Sequence, residues 1–160
     1  MLTNPTSSAS AAEDRDRPAP LDDGDYAALA AFRYALRKFL NFSEVAAEKV
    51  GLTGQHYQAM LVVRAMPESR QMTINDLAKQ LLIKHNSAVG LVDRLVEQGL
   101  LMRKASREDR RKVELRLTAK GSRVLERLAD LHRDELEHSG PQLMELLQQV
   151  TQAMDRELLP

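Results

Sequence analysis

The sequence contains no cysteine, and only 4% of its 160 residues are aromatic. Because thiols are absent, disulfides, thiolate metal sites, a nucleophilic cysteine and thiol-based redox sensing are excluded. The scarcity of aromatic rings means that Leu, Val and Ala must build most of the core. Apolar residues make up 43% of the chain and charged residues 29%, which is ordinary for a globular protein with one core.

Long apolar segments are missing as well. No stretch approaches the roughly 20 apolar residues that span a bilayer. The N-terminus begins with small and polar residues, not with the basic and then apolar segments of a secretory signal. These absences predict a cytoplasmic protein with no membrane partner.

Signatures of catalysis and metal binding are scarce. The four histidines are His56, His85, His132 and His138, and no two of them have the i, i+4 spacing of a helical zinc site. The chain has neither a glycine-rich phosphate loop nor a nucleophile elbow. We therefore expect no catalytic residue, no metal and no cofactor, and we interpret the chain as a protein that is not an enzyme.

The positive and negative charges balance over the whole chain but not within its segments. The formal charge is zero, yet residues 84–123 hold 11 Lys and Arg against 5 Asp and Glu, a net of +6. Residues 124–160 hold 3 basic residues against 8 acidic ones, a net of −5. Because the local field decides whether a polyanion is attracted, the basic segment predicts a nucleic-acid partner.

Helical periodicity dominates the first hundred residues. Residues 1–24 are rich in Ser, Ala, Pro and Asp, and we expect them to form a flexible tail. Beyond the tail, apolar residues recur at spacings of three and four, which predicts amphipathic helices. These helices cover 25–50, 53–65, 74–81 and the segment between Lys84 and Gly99. Thr53 and Thr73 are predicted N-caps, and Thr73 forms a capping box with Asp76, whereas Lys84 is a poor cap.

A β-hairpin is predicted after these helices. Apolar and polar residues alternate in VELRLT (113–118), which is typical of a half-buried strand, and LLMRKA (100–105) supplies its partner. The charged segment SREDRRK (106–112) joins the two strands, and its length suits a hairpin loop.

A long helix is predicted to begin at Thr118. We expect Ser139-Gly140-Pro141 to interrupt it, with Ser139 as the N-cap of a separate final helix. The predicted order α-α-α-α-β-β-α-α describes a mainly α protein with a small β-hairpin.

Two short helices joined by a tight turn and followed by a basic hairpin form a winged helix-turn-helix, whose second helix can enter a DNA major groove. If its apolar residues face the core, the candidate base contacts on the other side are His85, Asn86, Ser87, Val89 and Gly90. Asn86 can pair with an adenine edge, Val89 can contact a thymine methyl, and Gly90 lets the helix approach the groove floor. The alternative is a solvated first turn, with Asn86 and Ser87 as caps and Arg94 in an ion pair with Asp93.

Residues 52–121 resemble the MarR family of bacterial transcription regulators. The resemblance rests on LAKQL, on LVDRLVEQGLLMRKAS and above all on REDRRKVELRLTAKG. The last segment carries the family's Asp-x-Arg at Asp109 and Arg111, followed by its Leu-Thr-x-x-Gly from Leu117 to Gly121. The resemblance implies a winged helix-turn-helix with long flanking dimerisation helices. It further implies a homodimer that binds a pseudo-palindromic operator in double-stranded DNA, usually as a repressor that a small ligand releases.

The resemblance also implies roles for single residues. Arg111 would enter the minor groove, where a narrow groove has enhanced negative potential, and Asp109 would position it by an ion pair. Asn86, Ser87, Val89 and Gly90 match the family's major-groove contacts. Phosphate contacts are expected at Lys84, Arg94, Arg110 and Lys112.

The expected organisation has four regions: a tail (1–24), a first dimerisation helix (25–52), the winged helix-turn-helix (53–120) and C-terminal dimerisation helices (121–160). The resemblance places an effector pocket between the first helix, the second helix and the start of the long helix. His56 is a candidate effector contact there, beside Phe39 and Phe42; a capping role is the alternative for His56. Without cysteine, the thiol-based peroxide switch of one branch of the family is excluded.

Two other classes of function stay open beside the DNA-binding interpretation. In the first class, the chain is a helical dimerisation or adaptor module. In the second class, it is a small enzyme with an unrecognised site. The basic charge of residues 84–123 argues against the adaptor, and the missing catalytic motifs argue against the enzyme.

Overall fold

The computed structural model describes residues 20–67, 72–105 and 113–155, with side chains as far as Gln152. Over these ranges the elements are α1 (Asp23–Glu48), α2 (Gly54–Ala65), α3 (Ile74–Gln80), α4 (His85–Glu97), β1 (Leu101–Ala105), β2 (Val113–Leu117) and α5 (Ala119–Asp155). The predicted fold class, mainly helical with one two-stranded antiparallel hairpin, is confirmed. None of the helices so described combines the length and apolar character needed to cross a membrane.

Capping boxes fix the starts of α2 and α3, at the predicted residues. The N–H of His56 donates to Oγ1 of Thr53, and the N–H of Thr53 donates to Nδ1 of His56 at 3.0 Å. Thr73 and Asp76 exchange the equivalent two hydrogen bonds. Each pair satisfies two backbone donors that a helix start leaves without an intrahelical acceptor.

The start of α1 differs from the prediction. The N–H of Asp25 donates to Oδ1 of Asp22 at 2.9 Å, and the N–H of Asp22 donates to Oδ2 of Asp25 at 3.0 Å. This reciprocal cap begins the helix at Asp23, inside the segment predicted as tail. The Asp residues that indicated a disordered composition act locally as a helix start signal.

The long helix after the hairpin is continuous, so the predicted break is wrong. α5 runs from Ala119 to Asp155 with Pro141 inside it. Ser139 is not an N-cap, because its hydroxyl donates to the carbonyl of Glu135 at 2.8 Å, one helical turn earlier. A proline removes one backbone donor, and apolar residues at helical spacing continue on both sides of it, so the helix persists.

The hairpin packs one face on the core. β1 and β2 pair with Leu101 opposite Leu117, and the inward-facing Leu101 and Leu115 are buried. The N–H of Leu115 donates to the carbonyl of Met72 at 2.8 Å. The hairpin is therefore held to the segment before α3 as well as to itself.

The Leu-Thr-x-x-Gly segment joins the hairpin to α5 by close contact. Oγ1 of Thr118 accepts from the N–H of Gly121 at 2.9 Å and donates to the carbonyl of Gly99 at 2.6 Å. One hydroxyl thus caps α5 and holds the end of α4. A Cβ at Gly121 would overlap the carbonyl of Leu100, whose carbon lies 2.9 Å from that position. Only glycine permits this approach.

The chain divides into two compact units. One comprises Arg37–Gly140, and the other comprises the chain on either side of it. Among the described residues, every buried side chain lies between Ser43 and His132, inside the first unit. Its largest fully buried side chains are those of Met60, Leu77, Leu95, Leu101, Leu128 and Val92. This core positions α4 and the hairpin.

Candidate nucleic-acid interface

α4 has one buried and one exposed side, as its periodicity predicts. The buried side consists of Ala88, Leu91, Val92 and Leu95, at 0 to 7% exposure. Of the five predicted base contacts, His85, Asn86, Ser87 and Gly90 are exposed and Val89 is half-buried. The structure therefore brings all five to one helix, with a surface available to a partner.

The first turn of α4 has no side-chain cap in the described part of the chain. Lys84 occupies the N-cap position in an extended conformation and makes no capping hydrogen bond, which confirms that it is a poor cap. The first backbone N–H groups of the helix keep their donor capacity, and the helix dipole is positive at this end. Such an end suits phosphate oxygens.

Asp93 binds the hairpin and not its neighbour in the sequence. Nη2 of Arg103, on β1, donates to Oδ1 of Asp93 at 2.5 Å. The alternative in which Asp93 neutralises Arg94 is therefore wrong. Arg94 is exposed on α4, where the predicted phosphate contact requires it.

The tip of the hairpin lies outside the described residues. Four predicted contacts fall there: Asp109, Arg110, Arg111 and Lys112. Their roles stay predictions. The described strands bring the ends of this segment together, because Ala105 is the register partner of Val113.

His56 has the capping role that was given as its alternative. It is 5% exposed, and Nδ1 accepts the N–H of Thr53, so Nε2 carries the proton of the neutral ring. Among the described residues Nε2 has no hydrogen-bond partner. Burial lowers the pKa of His56 below its ordinary value; the charge of Arg94 lowers it further, and Glu44 opposes both. An effector contact at His56 stays a prediction.

A second buried histidine was not singled out from the sequence. Nδ1 of His132 donates to the carbonyl of Leu128 at 2.6 Å, and Nε2 accepts from the hydroxyl of Ser43 at 2.8 Å. The surrounding rings, with centroid separations from His132, are Tyr57 at 4.1 Å, Phe42 at 5.5 Å and Phe39 at 6.1 Å. The two phenylalanines expected to line an effector pocket pack against this imidazole.

Helical spacing was the signal that could have found His132. It follows Leu125 by seven residues and Leu128 by four, which places all three on one side of α5, and all three are buried. Over the described ranges, no three His, Asp or Glu side chains gather closely enough to hold a metal ion.

Comparison with known proteins agrees with the geometry. The helix pair α3–α4 and the hairpin define a winged helix-turn-helix. A sequence model described as the MarR family matches residues 50–112. Over 82 residues the chain is 29% identical to the HTH-type transcriptional regulator FarR of Neisseria gonorrhoeae, with 51% of this chain and 54% of the relative covered. Over 84 residues it is 30% identical to the organic hydroperoxide resistance transcriptional regulator of Bacillus subtilis strain 168, with 52% and 55% covered.

Solved structures share the fold. The chain aligns with AbsC, a MarR family transcriptional regulator from Streptomyces coelicolor, at a TM-score of 0.66 and 21% identity, covering 78% of this chain and 84% of that one. A mutant MarR from E. coli complexed with operator DNA aligns at a TM-score of 0.56 and 21% identity, covering 74% and 89%.

Over residues 50–112, the chain is thus similar to the MarR family. It spans about half the length of the curated relatives that it matches. Those relatives are named as transcriptional regulators and not as enzymes.

Proposed function

We propose that the protein is a homodimeric transcriptional repressor that binds a pseudo-palindromic operator in double-stranded DNA and that a small ligand releases. The observation that carries this proposal is the exposed polar side of α4, next to the hairpin and within the segment of net charge +6. A basic surface around a helix that presents hydrogen-bonding side chains is suited to a major groove.

The exposed residues divide by chemistry into base and phosphate contacts. Asn86 supplies an amide that pairs with adenine, Ser87 supplies a hydroxyl, and Gly90 leaves room for close approach. Lys84 and Arg94, both exposed, supply charge for phosphates, which fix the register of the protein on the duplex.

The hairpin extends this surface to the minor groove. Arg111 inserts there, with Asp109 as its positioning partner, and Arg110 and Lys112 bind phosphates. This assignment is supported by the register of β1 and β2, which makes SREDRRK the connecting tip, and by its charge. An arginine loses rotamer entropy on insertion, on the order of 1 to 2 kcal/mol, and a nearby carboxylate that orders it beforehand reduces that cost.

Exposed apolar side chains supply the dimer surface. In the unit that flanks the core, Leu29 and Tyr34 on α1 and Met144 and Leu147 on α5 are exposed. A dimer that covers them presents two copies of α4 to successive major grooves when the copies are spaced by about 34 Å. The regions 25–52 and 121–160 are thus assigned to dimerisation.

Release requires a ligand with different affinities for two arrangements of the dimer. The Bacillus relative is named for organic hydroperoxide resistance, but a chain without cysteine has no thiol to oxidise. We therefore assign release to non-covalent ligand binding. We also assign the chain no catalytic activity and place it in the cytoplasm, where a bacterial chromosome lies.

The test begins with in vitro selection of duplex DNA by the full chain. Asn86→Ala should change the selected motif at one base pair in each half-site, at a cost of about 1 to 3 kcal/mol there. Gln152→Ala, an exposed amide on α5, is the matched control and should leave the motif unchanged. A selected motif that is identical for the wild type and Asn86→Ala would refute the base contact.

The hairpin and phosphate assignments are tested by affinity at two salt concentrations. Arg111→Ala should weaken binding while helicity stays constant. Wild-type affinity should fall steeply as salt rises, because bound cations release counterions from the duplex. Absent or salt-insensitive binding would favour the adaptor module, in which the winged helix contacts protein.

A further inference from the structure

Three helices of this chain end in the same backbone motif. In each, a residue with positive φ donates its N–H to the carbonyl three residues earlier, and the next N–H reaches the carbonyl five residues back, which is the Schellman pattern. The positive-φ residues are Gly51 (75°) after α1, Leu82 (54°) after α3 and Gly99 (69°) after α4. Their N–H bonds run to Glu48 at 2.9 Å, to Lys79 at 3.2 Å and to Val96 at 2.9 Å.

The exception is the leucine. Positive φ brings Cβ too close to the backbone, and glycine avoids this strain because it has no Cβ. The chain uses glycine at two of the three positions. At the third it carries the only described non-glycine residue with positive φ.

The side chain of Leu82 does not compensate for this strain by packing. Leu82 is 93% exposed, the highest value among the large apolar side chains of the described residues. A single exposed leucine is ordinary on a protein surface. The side chain therefore adds little to the packing of the described residues, and strained residues are concentrated at sites that contact a partner.

The surroundings of Leu82 indicate what that partner is. It lies in the turn of the helix-turn-helix, two residues before the N-cap Lys84 of α4 and four before Asn86. Between Asp76 and Asp93 the chain contains no carboxylate, and its formal charges there are Lys79 and Lys84, both exposed. An apolar group flanked by cations suits a polyanion that also carries apolar carbons, which duplex DNA does through thymine methyls and deoxyribose.

We propose that Leu82 is a DNA-contacting residue, whose side chain packs against an apolar group of the duplex at the edge of the α4 footprint. This inference rests on the proposed function of α4 and adds to it a contact from the turn. Removal of this side chain should weaken the complex, although it should stabilise the free protein.

The test is Leu82→Gly, because folding and binding should then change in opposite directions. The variant relieves the strain, so its Tm should rise by roughly 3 °C. Its affinity for the selected operator should fall by about five-fold, within the range of one lost apolar contact. Leu82→Met should keep most of the affinity, since it restores an apolar side chain.

Replacing each thymine of the operator by uracil identifies the group contacted. If it is a thymine methyl, one replacement weakens the wild type but not Leu82→Gly. If it is deoxyribose, the two proteins respond alike, and only their overall affinities differ.

Three outcomes would overturn the proposal. In the first, Leu82→Gly binds as tightly as the wild type while Asn86→Ala binds more weakly. This result would refute the leucine contact and leave the proposed function of α4 intact. A lower Tm together with weaker binding would show a structural role. Absence of operator binding by the wild type would remove the proposed function and this inference with it.

Discussion

The two compact units of the chain use their apolar residues in opposite ways. In Arg37–Gly140 they form a closed core, in which Met60, Leu77 and Leu128 are at most 1% exposed. In the flanking unit no described residue is buried. Its exposed large apolar side chains are Leu21, Tyr26, Leu29, Tyr34, Leu36, Met144 and Leu147.

The difference shows which part of the chain is complete by itself. The central unit buries a core of its own among its described residues, and this core positions α4. The flanking unit has exposed large apolar side chains and no buried ones among its described residues. A second copy of the chain is the partner that we propose for it, so the two units should respond differently to the same kind of substitution.

The largest effect is expected where the central unit is tightest. Gly121→Ala places a methyl group against the backbone of Leu100 and should lower the free energy of unfolding by about 3 kcal/mol, the upper end of the cost of overpacking. Gly140→Ala is the control on the same helix, because nothing lies within 4 Å of its Cβ position. It should change the free energy of unfolding by less than about 1 kcal/mol, because the helix propensity gained by Ala is opposed by contact of its Cβ with the ring of Pro141. Chemical denaturation measures both, and equal effects would contradict the close approach.

The flanking unit should respond in association and not in folding. Met144 and Leu147 are 65% and 47% exposed, so Met144→Glu with Leu147→Glu should leave the central unit folded. If a second copy covers them, the dimer should weaken by at least about 2 kcal/mol, or roughly 30-fold in Kd. Gln58→Glu, at an exposed position of α2 outside the regions assigned to dimerisation, adds charge as a control and should leave association unchanged. Sedimentation equilibrium measures the association, and a wild type that is monomeric at micromolar concentration would refute the dimer.

The sequence predicts part of this difference between the central and the flanking unit. Periodicity and caps predicted the helices of the central unit, because Thr53, Thr73 and the apolar stripe of α4 act locally. The Leu-Thr-x-x-Gly segment was recognised from the family resemblance. Its reason, the approach of Gly121 to the carbonyl of Leu100, depends on residues that are distant in the chain and required the structure.

The failures were of two physical kinds. Ser139 and Pro141 carry local signals for a break, but helical periodicity on both sides prevailed and α5 is continuous. In the sequence His132 is one of four histidines without a shared spacing, whereas in the structure three rings and a serine surround it. Such a cluster joins α1, α2 and α5, and no window along the chain contains it. The positive φ of Leu82 could not be predicted from the sequence either, because glycine is the residue that usually indicates such a turn.

The polar contact at the centre of that cluster should have an intermediate effect. Ser43→Ala leaves Nε2 of His132 without its hydrogen-bond donor inside the core, at a cost of about 1 to 2 kcal/mol. Ser139→Ala also removes a hydroxyl, but one that bonds a carbonyl of its own helix, and should change the free energy of unfolding by less than about 0.5 kcal/mol. If both variants lost a similar free energy of unfolding, burial of the hydroxyl would not determine how much it stabilises the fold.

The smallest effect is a pH dependence confined to the central unit. Burial lowers the pKa of His56, so in acid the unfolded chain binds a proton before the folded chain does. The contribution of the neutral ring is complete above the ordinary histidine pKa of about 6.5 and is lost as the pH falls below it. His56→Gln keeps a side-chain acceptor for the α2 cap and should flatten the slope of unfolding free energy between about pH 7.5 and 5.5.

His138→Gln is the control for this titration, because His138 is exposed on α5 and its removal should leave the slope unchanged. The comparison separates a buried cap from a solvated ring of the same type. If His56→Gln shows the wild-type slope, the ring does not titrate with folding. Nδ1, which titrates because Nε2 carries the proton of the neutral ring, would then have the same pKa in the folded and the unfolded chain, which contradicts the effect of burial.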